Sequence, residues 1–312
     1  MNKASAIKEN IEKVLIGKSQ VIDLVLTALL ADGHVLLEDV PGTGKTVMAK
    51  SLAKSISADF ARIQFTPDLL PADIVGLNVY HPKEEAFALK TGPVFTNIVI
   101  ADEINRATPR TQSALLECME EHTCTIDGVT YELGSPFFVI ATENPLETAG
   151  TFPLPEAQLD RFLLKLSMGT PSVDEEVDIC KRFLMNNPMA TLEAITTREE
   201  VLSMREEAMN VYIHEDIIRY IASIVEATRK NPNISVGVSP RGTLAMLRAV
   251  RAYAYVQGRD YVIPEDVTAL ADKVFAHRIT TISHMTNDDS RRDLIRQVVA
   301  GVTVPTEEWK RK

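Results

Sequence analysis

Residues 34–54 have the sequence HVLLEDVPGTGKTVMAKSLAK, in which an apolar run, a glycine-containing loop and a helical pattern follow one another. Gly42 and Gly44 let backbone N–H groups approach an anion closely, and the N-terminus of the following helix points its positive end at the same place. Lys45 can reach the terminal phosphates of a nucleotide, and the hydroxyl of Thr46 can bind Mg²⁺. The segment therefore predicts a phosphate-binding loop between a strand and a helix.

The loop departs from the usual pattern at one position, because Asp39 stands where phosphate-binding loops have their first glycine. That glycine opens the turn and does not touch the phosphates as Gly44 does, so we expect the departure to weaken the match only slightly. The predicted nucleotide-binding residues of the loop are Gly42, Thr43, Gly44, Lys45, Thr46 and Val47.

Two later apolar runs also end in side chains that suit phosphate chemistry. Residues 97–103 (NIVIADE) end in Asp102, placed to hold Mg²⁺ through water, and Glu103, placed to orient or deprotonate an attacking water. Residues 137–144 (FFVIATEN) end in Asn144, whose neutral amide can hydrogen-bond the γ-phosphate without adding negative charge. Two acids beside a phosphate loop predict hydrolysis. The predicted metal ligands are Thr46 and Asp102.

The two halves of the chain differ in pattern. Between residues 33 and 168, short apolar runs alternate with helical patterns, as in a parallel sheet with crossover helices. Beyond Pro171, apolar residues recur only at helical spacing. We therefore expect an α/β nucleotide-binding domain at residues 1–170, a linker at 171–197 and a small all-α domain at 198–312.

Composition and charge exclude several classes of protein. The 312 residues include 33 Lys and Arg against 43 Asp and Glu, so a net charge of -10 would repel nucleic acid and anionic membranes. The three cysteines, Cys118, Cys124 and Cys180, lack metal-site spacing and are expected to be reduced structural thiols. Charged residues interrupt the N-terminal segment, and the longest apolar tract is too short to span a bilayer. We expect a cytoplasmic protein without membrane insertion.

The order of the motifs resembles that of AAA+ ATPases over nearly the whole chain. The residues that carry the likeness are 42–46, 98–103, 141–145, 155–162 and 239–242. The sequences of residues 38–46, 64–74, 92–95 and 103–107 are similar to those of the MoxR subfamily. The resemblance implies a P-loop αβα domain with a parallel five-stranded sheet, a helical lid, and a ring that is usually hexameric, with ATP and Mg²⁺ at each junction.

The resemblance also implies roles that spacing alone does not provide. Asn144 aligns with the sensor 1 position, Arg161 with the arginine finger that reaches a neighbour's γ-phosphate, and Arg241 with sensor 2. A cation supplied by a neighbour stabilises charge on the transferring phosphoryl group and makes catalysis depend on assembly. Ile16 and Gly17 lie in a segment that is similar to the one beside adenine.

One further residue, Gln64, resembles a position that restrains the catalytic glutamate in many AAA+ proteins. Whether Arg106 or Arg110 also faces the junction is left open.

Two insertions fall where this clade has its helix 2 insert and pre-sensor 1 hairpin. Residues 66–96 form a long polar insertion with four prolines, and residues 124–133 alternate around Asp127-Gly128, a strong hairpin signal. Such loops tend to face the axial surface of a ring. Phe87 and Tyr131 are the residues that could touch a client there.

The leading hypothesis is a MoxR-like ATPase that remodels, assembles or matures a partner protein, commonly one with a von Willebrand factor A domain. A nucleic-acid motor of a related AAA+ clade fits the nucleotide site equally well, but the net charge disfavours it. A nucleotide-gated scaffold would have less need of Glu103. A magnesium-chelatase ATPase subunit has closely related motifs and architecture. The sequence segments similar to the MoxR subfamily favour the first hypothesis.

Overall fold

Strands and helices alternate through the first half of the chain, and helices dominate the second half. The computed structural model describes residues 3–145, 150–185, 187–282, 288–306 and 309. The strands are β1 (Val35–Glu38), β2 (Phe60–Gln64), β3 (Gly76–His81), β4 (Ala86–Thr91), β5 (Ile98–Asp102), β6 (Thr123–Ile126), β7 (Val129–Glu132), β8 (Phe138–Glu143), β9 (Leu164–Leu166), β10 (Ile234–Val236) and β11 (Thr280–Thr281).

The α-helices are α1 (Lys3–Glu12), α2 (Ser19–Leu30), α3 (Lys45–Ser55), α4 (Pro71–Val75), α5 (Pro109–Glu121), α6 (Glu156–Leu159), α7 (Val173–Met185), α8 (Pro188–Thr191), α9 (Arg198–Met209), α10 (Glu215–Lys230), α11 (Pro240–Val256), α12 (Pro264–Phe275) and α13 (Asp288–Ala300). Short 3₁₀ turns occur at Ile104–Arg106 and Ala276–Arg278. None of the helices in the described ranges combines the length and apolar character needed to cross a bilayer.

A five-stranded parallel sheet in the order β2-β5-β8-β1-β9 forms the centre of the first half. Its strands β1, β5 and β8 coincide with the apolar runs before the phosphate loop, Asp102 and Asn144, and the predicted α/β fold with a parallel five-stranded sheet is confirmed. Every residue of β5 and nearly all of β8 are buried, which is why these strands appear in the sequence as continuous apolar runs. Because the strands are parallel, the loops that follow β1, β5 and β8 meet at one edge.

Two apolar layers cover the sheet. Val35 and Leu37 point into a core with α1, α2 and α3, whereas Leu36 and Val139 point into a second core with α5. The first core continues through α2 into the contacts that this helix makes with α9 and α11. The helical second half is therefore packed directly on helices of the first half.

Two hairpins project from the first half. The insertion at 66–96 contains α4 and the antiparallel pair β3–β4, and β6 pairs with β7 around the turn at Asp127-Gly128. Both turn residues have positive φ, 49° and 82°, which is the backbone that an Asp-Gly hairpin turn requires. Asn78 Nδ2 donates to Asp127 Oδ2 at 2.8 Å, so the two hairpins contact each other.

A small antiparallel ribbon of β10 and β11 lies within the helical second half. We expected only helices beyond residue 198, so that expectation is wrong at this ribbon. Strands of three and two residues are too short to show an alternating pattern in the sequence. The rest of this region is helical as predicted, and the segment expected as a linker at 171–197 contains α7 and α8.

A buried charge cluster joins the edge strand β9 to α13. Lys165 Nζ lies 3.2 Å from Glu38 Oε1, 2.6 Å from Asp288 Oδ2 and 4.0 Å from Glu143 Oε2. Burial raises the pKa of Glu38 to about 7 and also raises the pKa of Glu143, while the Lys165 ammonium acts in the opposite direction. The cluster ties the carboxyl ends of β1 and β8 to the second half.

We predict that this cluster makes stability pH-dependent. Between pH 4.5 and about 7 the folded chain holds a proton on Glu38 that the unfolded chain has lost, so this residue lowers the free energy of unfolding as the pH rises. Replacing Glu38→Gln removes this effect. The melting temperature of the variant relative to the parental protein should rise by about 2–4 °C from pH 5 to pH 8.

Comparing the two proteins at each pH cancels the titrations that they share. Glu206→Gln makes the same change on an exposed face of α9, away from the cluster, and is the matched control. A Glu38→Gln difference that stays constant from pH 5 to pH 8 would contradict the prediction.

Candidate functional site

A cleft of ≈ 320 Å³ opens at the edge of the sheet where β1, β5 and β8 end. Its lining residues are Pro41, Gly42, Gly44, Lys45, Thr46, Val47, Arg62, Gln64, Asp102, Glu103, Thr142 and Asn144. The structure thus brings the phosphate loop together with both predicted acids and the predicted amide. A larger cleft of ≈ 730 Å³ lies between α1, α7 and α8, and none of the predicted site residues lines it.

The backbone of the loop is shaped for close approach by a ligand. Gly42 and Gly44 have φ of 87° and 94°, a left-handed conformation that side chains with a Cβ disfavour. A Cβ on Gly44 would also lie 3.1 Å from Leu15 Cδ1. Lys45, directly after Gly44, begins α3, so the positive end of that helix faces the cleft.

Asp39 anchors the loop to the neighbouring strand. Its Oδ1 accepts a hydrogen bond from Ser167 Oγ at 2.7 Å, and its Oδ2 accepts one from the backbone N–H of Met168 at 2.5 Å. The Asp39 carbonyl accepts from Lys45 Nζ at 2.7 Å. The residue that replaces the usual glycine therefore ties the loop to the segment after β9, a role that the sequence did not reveal.

Lys45 is the cation that the phosphate loop itself contributes to the cleft, which Arg62 also lines. Burial lowers its pKa, and the carboxylates of Asp39, Asp102 and Glu103 oppose that shift. An ammonium group that is partly desolvated beside a helix N-terminus is suited to bind phosphate oxygens.

Thr142 contacts both predicted acids and fixes their positions relative to each other. Its Oγ1 accepts from the backbone N–H of Glu103 at 2.9 Å and donates to Asp102 Oδ1 at 3.3 Å. Arg62 Nε donates to Asp102 Oδ2 at 2.7 Å. Both partners come from strands beside β5, so pairing within the sheet decides which side chains reach the acids.

Glu103 lies at a sharp turn after β5, with a left-handed φ of 56°. Its Oε2 accepts from Gln64 Nε2 at 3.0 Å and from Arg106 Nη1 at 3.0 Å. Strained backbone of this kind persists where surrounding contacts hold it, often at functional sites. The carboxylate is therefore aimed into the cleft by its backbone and by two side chains, one of which, Gln64, lies at the position singled out in the sequence.

The residues present fit a magnesium ion. Thr46 and Asp102 supply a hydroxyl and a carboxylate oxygen at the same cleft, and Mg²⁺ prefers oxygen ligands. No group of three His, Cys, Asp or Glu side chains that could hold a metal occurs in the described ranges. Phosphate oxygens and water would therefore complete the coordination shell, as is usual for Mg²⁺ at phosphate sites.

The other predicted contacts of the nucleotide differ in how closely they reach the cleft. Asn144 is buried at the end of β8 and lines it. Thr43 lies in the loop between the two glycines without lining the cleft, and neither Ile16 nor Gly17 lines it. Leu15, which packs against Gly44, brings the N-terminal segment next to the loop.

The two predicted arginines lie at the amino ends of the strands, on the opposite side of the sheet from the cleft. The backbone N–H of Leu163 donates to the carbonyl of His34 at 2.9 Å, which places the segment before β9 beside the start of β1. Arg161 Nε lies 2.9 Å from Glu120 Oε2, and Arg241 Nη2 lies 2.8 Å from Glu120 Oε1. The four residues of β1 span about 13 Å, so neither side chain lines the cleft of its own chain.

Arg278 holds the segment that carries Arg161. Its side chain is 4% exposed, and Nε lies 2.6 Å from Asp160 Oδ1. Nη2 donates to the carbonyl of Phe162 at 2.7 Å, and Nη1 to the carbonyl of Leu163 at 3.2 Å. A buried guanidinium with this many acceptors fixes the backbone on both sides of Arg161.

Comparisons with known proteins agree with this architecture. Residues 34–164 match the ATPase family associated with various cellular activities (AAA), and residues 226–298 match the AAA lid domain. The chain is 49% identical to the uncharacterized protein YeaC of Bacillus subtilis, over 96% of this chain and 94% of that protein. It is 41% identical to chaperone MoxR1 of Mycobacterium tuberculosis, over 95% and 80% of the two chains.

A solved structure shows the same fold. The crystal structure of a protein from Cytophaga hutchinsonii superposes with a TM-score of 0.89 at 37% identity, covering 97% of this chain and 95% of that one.

We predict that substitutions at two residues of the cleft affect ATP binding and ATP hydrolysis separately. Lys45→Ala should weaken nucleotide binding, because the phosphates lose their cation. Glu103→Gln should leave ATP bound and lower turnover by at least about 100-fold, because the phosphate loop stays intact. Binding of a fluorescent ATP analogue and steady-state phosphate release measure the two effects, with the exposed Glu132→Gln as control. Hydrolysis by Glu103→Gln at the parental rate would show that Glu103 is not the base.

We also predict a role for the Thr142 hydroxyl. Thr142→Val keeps the volume but removes both hydrogen bonds, so kcat should fall about tenfold with little change in ATP affinity. Thr142→Ser should restore most of the rate, because the hydroxyl returns. A parental rate in Thr142→Val, or a Thr142→Ser rate no higher than that of Thr142→Val, would contradict a role for the hydroxyl.

Proposed function

The chain belongs to the MoxR family of AAA+ ATPases, and from that premise we propose that its subunits form a ring that hydrolyses Mg²⁺-ATP at each junction to remodel partner proteins. The observation that carries this proposal is the separation of two half-sites. Glu103 and Asn144 lie at one edge of the sheet, and Arg161 and Arg241 lie at the other.

One subunit alone supplies an incomplete site. The cleft has a phosphate loop and two acids, and the arginines of the same chain lie on a separate surface. When one end of a subunit binds the opposite end of the next, the contact is head-to-tail, and such contacts form a ring when the rotation between subunits closes. The arginine edge of each subunit would then cover the cleft of its neighbour, and the family resemblance favours six subunits.

The residues of the cleft divide the work of hydrolysis. The loop amides and Lys45 bind the β- and γ-phosphates, and Asn144 donates to a γ-phosphate oxygen. Glu103, held by Gln64, orients or deprotonates the attacking water. Mg²⁺ held by Thr46 and Asp102 would neutralise phosphate charge.

The neighbouring subunit supplies the remaining positive charge. Arg161 and Arg241 of that subunit would lie against the γ-phosphate and stabilise the charge that spreads over its oxygens. Ile16 and Gly17 are proposed to lie beside adenine, as the resemblance implies.

A chaperone-like role is supported by the 41% identity to a protein named chaperone MoxR1. We propose a protein client, a partner with a von Willebrand factor A domain and a cytoplasmic location. Phe87 at the β3–β4 hairpin is 72% exposed and packs only on Tyr80, at 5.3 Å between ring centroids, among the ring contacts of the described residues. Tyr131 packs against Phe95. Phe87 is therefore the better candidate for contact with a client.

We predict that ATPase activity depends on assembly. The specific activity of the parental protein should rise with protein concentration and follow the appearance of a ring-sized species in Mg²⁺ and ATP. Arg161→Ala should lose activity by about 10³-fold while each subunit still binds ATP, because the lost group acts on the neighbour. Steady-state rates and sizing at matched concentrations measure both. Constant activity per subunit from a monomer would exclude the shared site.

A further inference from the structure

Glu120 bridges the two arginines that face away from the cleft. It is the penultimate residue of α5, and its two carboxylate oxygens contact different guanidinium groups, Oε2 that of Arg161 at 2.9 Å and Oε1 that of Arg241 at 2.8 Å. Neither the sequence motifs nor the family resemblance pointed to this residue. The bridge joins a segment of the first half to α11 of the second half.

The ion pairs around the bridge contain more cations than anions. In the ion pairs of the described residues, three guanidinium groups, those of Arg161, Arg241 and Arg278, share the carboxylates of Glu120 and Asp160. Asp160 is mostly engaged with the buried Arg278 at 2.6 Å, and its other oxygen is 3.6 Å from Arg241 Nε. Within the described part of the chain, Arg161 has an ion pair with Glu120 alone.

The bridge holds two arginines that are more exposed than Arg278. The side chains of Arg161 and Arg241 are 29% and 50% exposed, whereas that of Arg278 is 4% exposed. Long, partly exposed side chains lose conformational freedom when they are held, and like charges repel one another. A carboxylate that contacts both guanidinium groups offsets both effects and orders them before a ligand arrives.

Glu120 is too far from the cleft of its own chain to act there. Helix α5 begins at Pro109, soon after Glu103, and rises about 16 Å before it reaches Glu120. The residue lines a second cavity of ≈ 420 Å³ together with Arg161, Arg241 and Arg248, and it does not line the nucleotide cleft.

We propose that Glu120 is a positioning residue that holds Arg161 and Arg241 side by side for the nucleotide of the adjacent subunit. It contacts neither ATP nor the attacking water, and it acts only through the two arginines. This inference rests on the proposed function, because it requires arginines that serve a neighbour.

The first test compares single variants. Glu120→Gln keeps the shape and removes the charge, so kcat should fall about tenfold while ATP binding to the subunit and ring size stay unchanged. Glu121→Gln is the matched control, since it makes the same change one residue further along α5 without contacting either arginine, and it should keep the parental rate. A Glu120→Gln rate within twofold of the control would overturn the proposal.

The decisive test is complementation between subunits. Glu103→Gln subunits have intact arginines and a cleft that binds ATP without hydrolysing it. Glu120→Gln subunits have an intact cleft, and their arginines are no longer held by the carboxylate. In a one-to-one mixed ring, about a quarter of the junctions pair the good arginines with the good cleft, so activity should reach about a quarter of the parental value. A defect of Glu120→Gln confined to its own cleft or its folding would not be repaired by mixing.

The same mixture with Arg161→Ala in place of Glu120→Gln separates the two proposals. Recovery of activity with both variants supports the positioning role. Recovery with Arg161→Ala but not with Glu120→Gln overturns the role of Glu120 and leaves the shared site standing. Recovery with neither overturns the shared site and the role of Glu120 with it.

Discussion

The pairing of β1 with β8 on one side and β9 on the other is the constraint on which the rest of the structure depends. The phosphate loop follows the carboxyl end of β1 and lies beside Asn144. Asp39 hydrogen-bonds this loop to the segment that follows β9. The amino end begins after His34, whose Nδ1 accepts from the backbone of Val139 and whose Nε2 donates to the carbonyl of Met119. Burial lowers the pKa of His34 to about 4, so a neutral ring can satisfy both partners. One short strand thus positions both half-sites.

Much of this arrangement could be predicted because it depends on local signals. Buried parallel strands are continuous apolar runs, and the loop requires glycines beside a lysine and a hydroxyl, so the sheet and the residues at its carboxyl edge follow from the sequence. Thr142 and Arg62 could not be predicted in the same way. Each reaches Asp102 only because its strand pairs with β5, a contact between residues 40 positions apart. The roles of Glu120 and Arg278 depend on still longer contacts, 41 residues for Glu120 with Arg161 and 118 for Arg278 with Asp160, and the ribbon β10–β11 is too short to leave a pattern.

The amino and carboxyl ends of the sheet differ in how their charged side chains are held. At the arginine edge, a fully buried guanidinium, that of Arg278, fixes the backbone through carbonyl acceptors, while the exposed guanidinium groups rely on carboxylates. At the cleft, Thr142 and Arg62 hydrogen-bond to the two carboxylate oxygens of Asp102. Gln64 and Arg106 both donate to Oε2 of Glu103. At both ends of the sheet, contacts within the chain hold the charged side chains in place, which is the arrangement that preorganised sites require.

The left-handed backbone at Glu103 has a consequence for how this chain can change over evolutionary time. A φ of 56° favours glycine, asparagine and aspartate, none of which has the reach of a glutamate side chain. With the role proposed for Glu103, backbone preference and chemical need oppose each other at this position, and selection for hydrolysis would maintain the glutamate. In lineages where that selection is relaxed, genetic drift would replace it first with the residues that the turn prefers, so this codon would record the loss of turnover before the fold itself decays.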